Sequence, residues 1–418
     1  MATEPDSAPF NRLPVEVLLN IALRVPDLPS LYAFDRASNK FALVFNEYGS
    51  YILERVLDTA RLGAPPHQVR EIIRLVIYVR TACLKENTPK TPSNLEGFVS
   101  QLFEQAPGSA AYTPIHPNTP TFLLREILAI AATIDQLASL CLATFMRRCL
   151  ALRPSHPIDR TGPKPSGFMG PQPEYFARPG YTYIPHSSGP PTWLETQRVL
   201  RAFWTVQLYL DLCWGVTVGR LTFTEDSDEG LRELKFSEME ISRGRPLLSG
   251  ERAVKAVVKW LCEELGWRLP VCKAEDLEQD EKNMRVHLPY IPKQETEQAF
   301  DWDNEGKGWF PGCEDEFVFQ HDKLHEQSLS EAPGEFFLET KIGSLRRFSP
   351  VFNISESPIF QDMGIAFWDS RRLMGLELLG PHEEDGFAPC RGNTTKYYSM
   401  WELMYTWISI ANAQETSS

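Results

Sequence analysis

The 418-residue sequence predicts a mainly α protein: a three-helix N-terminal module, then a larger helical body that irregular Pro-rich and acidic insertions interrupt. Three observations predict it. Apolar residues recur at three- and four-residue steps through most segments long enough to show a period. Helix-start signals stand at the head of several of those segments, among them Asp27 and the pair Thr192 and Glu195. A composition of 43% apolar and 11% aromatic residues is enough for a substantial core. The expected segments are the helical module over 10–57, the first part of the body over 58–153 and a Pro-rich strap over 154–191. The second part of the body over 192–270, an acidic irregular insertion over 271–340 and a C-terminal helical part over 341–418 follow.

The module begins at Pro14, which tolerates a first-turn position because its missing N–H would be unpaired there; Glu16 sits near the positive end of the helix dipole. Pro14, Val17, Leu18 and Ile21 make its apolar side. Val25 precedes Pro26 and is pushed out of the α region, so this helix stops there. Asp27 then caps a second helix carrying Leu28, Leu31, Phe34 and Ala37, and Asn39 caps a third with Phe41, Val44, Phe45, Tyr48, Ile52 and Val56 on one face. Gly49 inside it costs about 1 kcal/mol relative to alanine. So short a module cannot bury all this apolar surface on itself, because small domains hide a low fraction of theirs. The rest of the chain or a second protein must cover it, and composition leaves both open.

The ordered run of Leu13, Pro14 and Glu16, then Pro26, Asp27, Leu28, Ser30 and Leu31, then Ala37 and Ser38, resembles the F-box, most closely its fungal variants. Two departures stand out: no tryptophan lies late in the box, and the second segment is polar at Asp35 and Arg36. The resemblance implies a non-catalytic substrate-recognition subunit of a cullin-RING (SCF-type) ubiquitin ligase. It would bind the Skp-type adaptor through Leu13, Pro14, Val17, Leu18, Ile21, Leu28 and Leu31 and recruit an unknown protein substrate with the remaining chain. The stretch from Pro190 to Leu212 and the block from Gly364 to Gly380 are similar to segments of the same fungal proteins. A helical scaffold outside any ligase is the alternative that the same residues allow.

Beyond the module, Val69, Ile72, Ile73, Val76 and Val79 predict a helix ending near Lys85, and Leu95, Phe98, Val99, Leu102 and Phe103 another. Between Pro120 and Arg153 the pattern is apolar on nearly every face, which predicts a central helix, single or jointed, packed on all sides. Residues 154–191 hold ten prolines, so this strap is expected to be extended and without regular ladders. Thr192 and Glu195 form a capping box for a helix through Asp211, and Val254, Val257, Val258 and Leu261 mark a helix from Glu251 to about Leu265. In the last part Phe367, Trp368, Leu373 and Leu376 read as core, with Arg371 and Arg372 turned outward. Tyr397, Met400, Trp401, Met404, Tyr405 and Ile408 predict a final helix.

The net charge of −13 argues against nucleic acid or an anionic membrane as partner, since both favour basic surfaces. Residues 271–340 alone carry 18 acidic against 6 basic side chains. The start of the chain has neither a positive n-region nor an apolar h-region, and the eight cysteines form no CxxC pair, so reduced thiols and a cytoplasmic or nuclear location are the expectation. No cofactor is implied. His321 and His325 stand at i and i+4, a spacing that can hold zinc, but Asp322 replaces the glutamate of the zincin motif and no third ligand is marked. They remain weak metal candidates, and with no nucleophile elbow, P-loop or dinucleotide fingerprint a metal-dependent enzyme is the least favoured reading.

Overall fold

The computed structural model describes residues 9–58, 67–84, 114–157, 180–187, 189–217, 251–268, 288–289, 358–376, 378 and 405–410, and within them the chain is mainly helical. The expected helix over 95–103, most of the acidic segment over 271–340 and the pair His321 and His325 lie outside the described residues. The chain forms two compact units, one of residues 1–138, 200–249 and 261–296, the other of 139–199, 250–260 and 297–418.

The first unit opens with a 3-10 turn, Pro9–Arg12, and the helical trio: α1 (Val15–Ala22), α2 (Leu28–Ala37) and α3 (Asn39–Asp58). Pro14 is the N-cap of α1, with an extended ψ of 154°, and its carbonyl accepts from the Leu18 amide. The helix ends at Ala22 rather than at Val25, because the next amides, Arg24 and Val25, bond three residues back and tighten the last turn. Asp27 caps α2 as expected, accepting from the Ser30 amide at 2.7 Å. For α3 the cap is Ser38, whose hydroxyl accepts from the Phe41 amide at 3.1 Å, and not Asn39. Both α1 and α2 pack on α3. Their core includes Leu18, Leu31, Phe41, Phe45 and Ile52, with Phe34 stacked on Phe41 at 4.1 Å between ring centroids.

Helix α4 (His67–Leu84) buries the apolar face read from its sequence and ends one residue before Lys85. Arg74 on it reaches back to Glu54 and Asp58 at the end of α3. The long apolar pattern is a single helix, α5 (Thr121–Ala151), with Leu124, Ile127, Ile134, Leu137 and Cys141 among its buried residues. By length and composition it is apolar enough to cross a bilayer; half of its most apolar window is buried inside the protein and Phe122 is 54% exposed, so it is not packed on all sides as its pattern predicts. Gly49 lets this helix approach α3: a Cβ there would stand 3.1 Å from Leu124 Cδ1.

Two helices follow in sequence, α6 (Trp193–Thr217) and α7 (Glu251–Leu265). The capping box at the head of α6 is formed in both directions, Thr192 N to Glu195 Oε2 at 2.9 Å and Glu195 N to Thr192 Oγ1 at 3.2 Å. The helix runs six residues past Asp211, and α7 matches its expected bounds.

The second unit corrects two expectations. In the strap, β1 (Ser155–Pro157) and β2 (Gly180–Thr182) pair antiparallel, with His156 opposite Tyr181. The ladder survives the prolines because the only one inside it, Pro157, sits at its end, where a missing N–H is tolerated. His156 also stacks on Tyr183 at 4.3 Å and bonds Thr406 Oγ1 at 2.7 Å, fixing the strap on residues 405–410, which are helical. Near the C-terminus, α8 (Pro358–Asp362) and α9 (Ser370–Gly375) flank a turn in which Phe367 and Trp368 are fully buried. Arg372, expected to point outward, is instead buried against Glu195. Cys83, Cys141, Cys149 and Cys262 form no disulfide, and burial pushes the pKa of the Cys149 thiol up to about 12. Cys213 is disulfide-bonded, against the expectation of reduced thiols.

Gly364 stands at a close approach within the second unit. Its φ is +65°, and an added Cβ would lie 2.5 Å from the Phe145 ring, which itself stacks on Phe367 at 5.6 Å. Gly364→Ala is therefore expected to lower stability by about 1–3 kcal/mol through backbone strain alone, with displacement of Phe145 added to it, read as a reduced urea midpoint. A midpoint equal to that of the parent would mean that the turn readjusts freely.

Candidate functional site

The seven residues singled out at the N-terminus divide into two groups. Leu18 and Leu31 are 0% exposed and Leu28 is 4% exposed. These three hold the trio together and present nothing to solvent, which corrects their assignment as surface contacts. Pro14 is exposed, Val17 is 40% exposed, and Leu13 and Ile21 are half-buried. The division follows the helical period. Pro14, Val17 and Ile21 fall at three- and four-residue steps on one side of α1, while Leu18 and Ala22 fall on the neighbouring side. That second side closes the trio. The first is an apolar stripe left open.

Sequence reasoning missed further exposed apolar residues of the trio. Val15 at the head of α1 is 41% exposed, and on α3 Leu43 is 68% and Tyr51 52% exposed. Leu43, Glu47 and Tyr51 share one outward line of α3 at four-residue steps. Their spacing sets them off the face defined by Phe41, Phe45 and Ile52. Glu47 accepts a hydrogen bond from the Tyr48 hydroxyl, and this bond, with the charge of Glu47 and smaller effects of burial and Glu16, raises the phenol pKa.

The edge of the stripe is fixed by a knot that no local signal announces. Asn11 Oδ1 accepts from Ser38 Oγ at 3.0 Å and from the Lys40 amide at 3.3 Å, and Lys40 Nζ in turn donates to the Leu13 carbonyl. The polar Asp35, a departure in the second segment, is also explained. It is buried and receives Arg125 Nε from α5 at 3.0 Å, while Arg125 Nη2 donates to the Ala42 carbonyl at 2.8 Å. Arg125 therefore binds both α2 and α3 to α5 from the side of the trio that is already covered.

Among the described residues no group of three or more His, Cys, Asp or Glu is placed to hold a metal ion. His156 and Thr406 stand at hydrogen-bond distance, but both are buried and the imidazole is stacked on Tyr183, so the pair packs the strap. What the described surface offers is an apolar stripe on a short helix whose neighbouring side packs on α3. No family model, curated protein or solved structure matches the chain.

Proposed function

We propose that this chain is the substrate-recognition subunit of a cullin-RING (SCF-type) ubiquitin ligase, with residues 10–57 serving as an F-box that docks the Skp-type adaptor. The observation that supports the reading is the open stripe of Leu13, Pro14, Val17 and Ile21 along the start of a helix whose neighbouring side, at Leu18 and Ala22, is sealed on α3. An apolar surface held this firmly loses little conformational entropy when a partner covers it. Leu18, Leu28 and Leu31 support the stripe from within. The chain performs no chemistry in this role. It holds a substrate near a charged ubiquitin-conjugating enzyme, and proximity raises the effective concentration of the reacting groups.

The test is co-purification of the full chain with a recombinant Skp-type adaptor and its cullin. Pro14→Ala and Val17→Asp are expected to abolish retention of the adaptor while the thermal midpoint stays at the parent value, because both side chains face solvent. Leu18→Ala is expected to behave in the opposite manner, costing about 2–5 kcal/mol of stability as a cavity-forming change. A parent chain that retains neither adaptor nor cullin sinks the reading and leaves a helical scaffold outside any ligase.

A further inference from the structure

The short entry to the stripe needs an external support. The 3-10 turn over Pro9–Arg12 is followed by the bond from Leu13 N to Phe10 O at 3.2 Å, and helical pieces this short do not persist on their own. Pro14 has a ring-fixed φ of −56°, so the torsions of Leu13 set the direction in which Leu13 and Pro14 face. The Leu13 carbonyl is the group that Lys40 Nζ grips. Lys40 itself stands in the first turn of α3, where the helix dipole disfavours a cation. Its position makes sense through the bond it donates, which is charge-assisted. Asn11 completes the knot in the other direction by accepting from the Lys40 amide, one of the α3 amides without an intrahelical partner. Phe10, edge-on to Phe34 at 5.2 Å, anchors the same turn to α2.

We propose that Lys40, with Asn11, is a positioning residue for partner docking: it locks the Leu13–Pro14 peptide so that the stripe is presented in one orientation before the partner arrives. The inference rests on the adaptor reading above and adds to it a residue outside the contact surface. Without the grip, the partner must order the entry segment on binding, and that cost appears as lost affinity.

The experiment uses the full chain and a purified Skp-type adaptor as probe, with affinity from titration calorimetry, the thermal midpoint, and hydrogen exchange of the Leu13 and Leu18 amides, which donate to the Phe10 and Pro14 carbonyls. Lys40→Met is expected to weaken adaptor binding by about tenfold or more, with the thermal midpoint unchanged and those amides exchanging faster. Lys40→Arg, which keeps the charge and the donor, is expected to recover most of the affinity, a rescue that a merely space-filling role of Lys40 does not predict. Asn11→Ala is expected to act in the same direction as Lys40→Met. Binding of Lys40→Met as tight as that of the parent, or unchanged exchange, overturns the proposal while the ligase reading stands. A parent chain that does not bind the adaptor sinks the ligase reading and the docking role of Lys40 together, and faster exchange in Lys40→Met then supports only the grip on Leu13.

Discussion

Replacement of Arg372 by methionine is expected to destabilise the second unit by about 3–5 kcal/mol at pH 8, the cost of leaving a buried charge without its partner. The guanidinium is 2% exposed and meets the fully buried carboxylate of Glu195 in a fork, Nε to Oε1 at 2.8 Å and Nη2 to Oε2 at 2.9 Å. It also donates to the carbonyls of Gly189 and Pro190 and lies 5.0 Å from the Trp368 ring. Glu195 meanwhile accepts from the amides of Thr192 and Asp369. One ion pair thus joins the end of the strap, the head of α6 and the head of α9. The check is urea unfolding. A loss under about 1 kcal/mol, the scale of an exposed pair, would show that water reaches the site.

The same pair predicts the pH dependence. Burial above all, and the neighbouring Asp369 next, push the Glu195 carboxyl from 4.5 up to about 7, against the opposing effect of Arg372. A carboxyl whose folded pKa is raised takes up a proton on folding, so its contribution is fully present below its ordinary value and is lost as pH rises through about 7. Arg372→Met removes the opposing cation and raises the carboxyl further. The deficit of the variant is therefore expected to widen from pH 5 to pH 8, and Glu195→Gln to flatten that part of the profile.

What the sequence made legible is what local chemistry determines. The capping box at Thr192, the Asp27 cap and the bounds of α7 each depend on residues within a turn of one another. Arg372 was misread because a charge beside core residues ordinarily marks a surface, and its partner lies 177 positions away. Ser38 and Asn39 are both good caps side by side, and only the backbone decides which is used. At the candidate site the limit is of the same kind. Periodicity separates apolar from polar faces, but it does not tell which apolar side of α1 the trio covers, so by pattern alone Leu18, Leu28 and Leu31 look no different from Pro14 and Val17. The knot of Asn11, Ser38 and Lys40 joins residues up to 29 positions apart and leaves no mark in any short window.

Within the first unit, Asp211→Ala is expected to be as damaging as the loss of Arg372, at about 3–5 kcal/mol, for a reason the neighbouring carboxylate makes testable. Arg80 and Asp211 are each 1% exposed and form a second fork, Nε to Oδ2 at 2.9 Å and Nη2 to Oδ1 at 2.8 Å. Gln207 donates to the same carboxylate at 3.2 Å, holding it in place from one turn earlier on α6. Glu126 on α5 also touches Arg80, at 3.2 Å, but it is 45% exposed. Burial makes the two carboxylates unequal partners. Removing Glu126 leaves the fork intact and costs about 0–1 kcal/mol, as for exposed pairs, whereas removing Asp211 strands a guanidinium in the core. Replacing both Arg80 and Asp211 by leucine is expected to be milder than replacing either one alone by leucine, because no charge is then left unpaired, and the sum of the two single losses less the double loss gives the coupling energy of the cycle. Equal losses for Glu126→Gln and Asp211→Ala in urea unfolding would mean that Arg80 is held by the rim of the unit, and that the interior between α4 and α6 is not sealed by this fork.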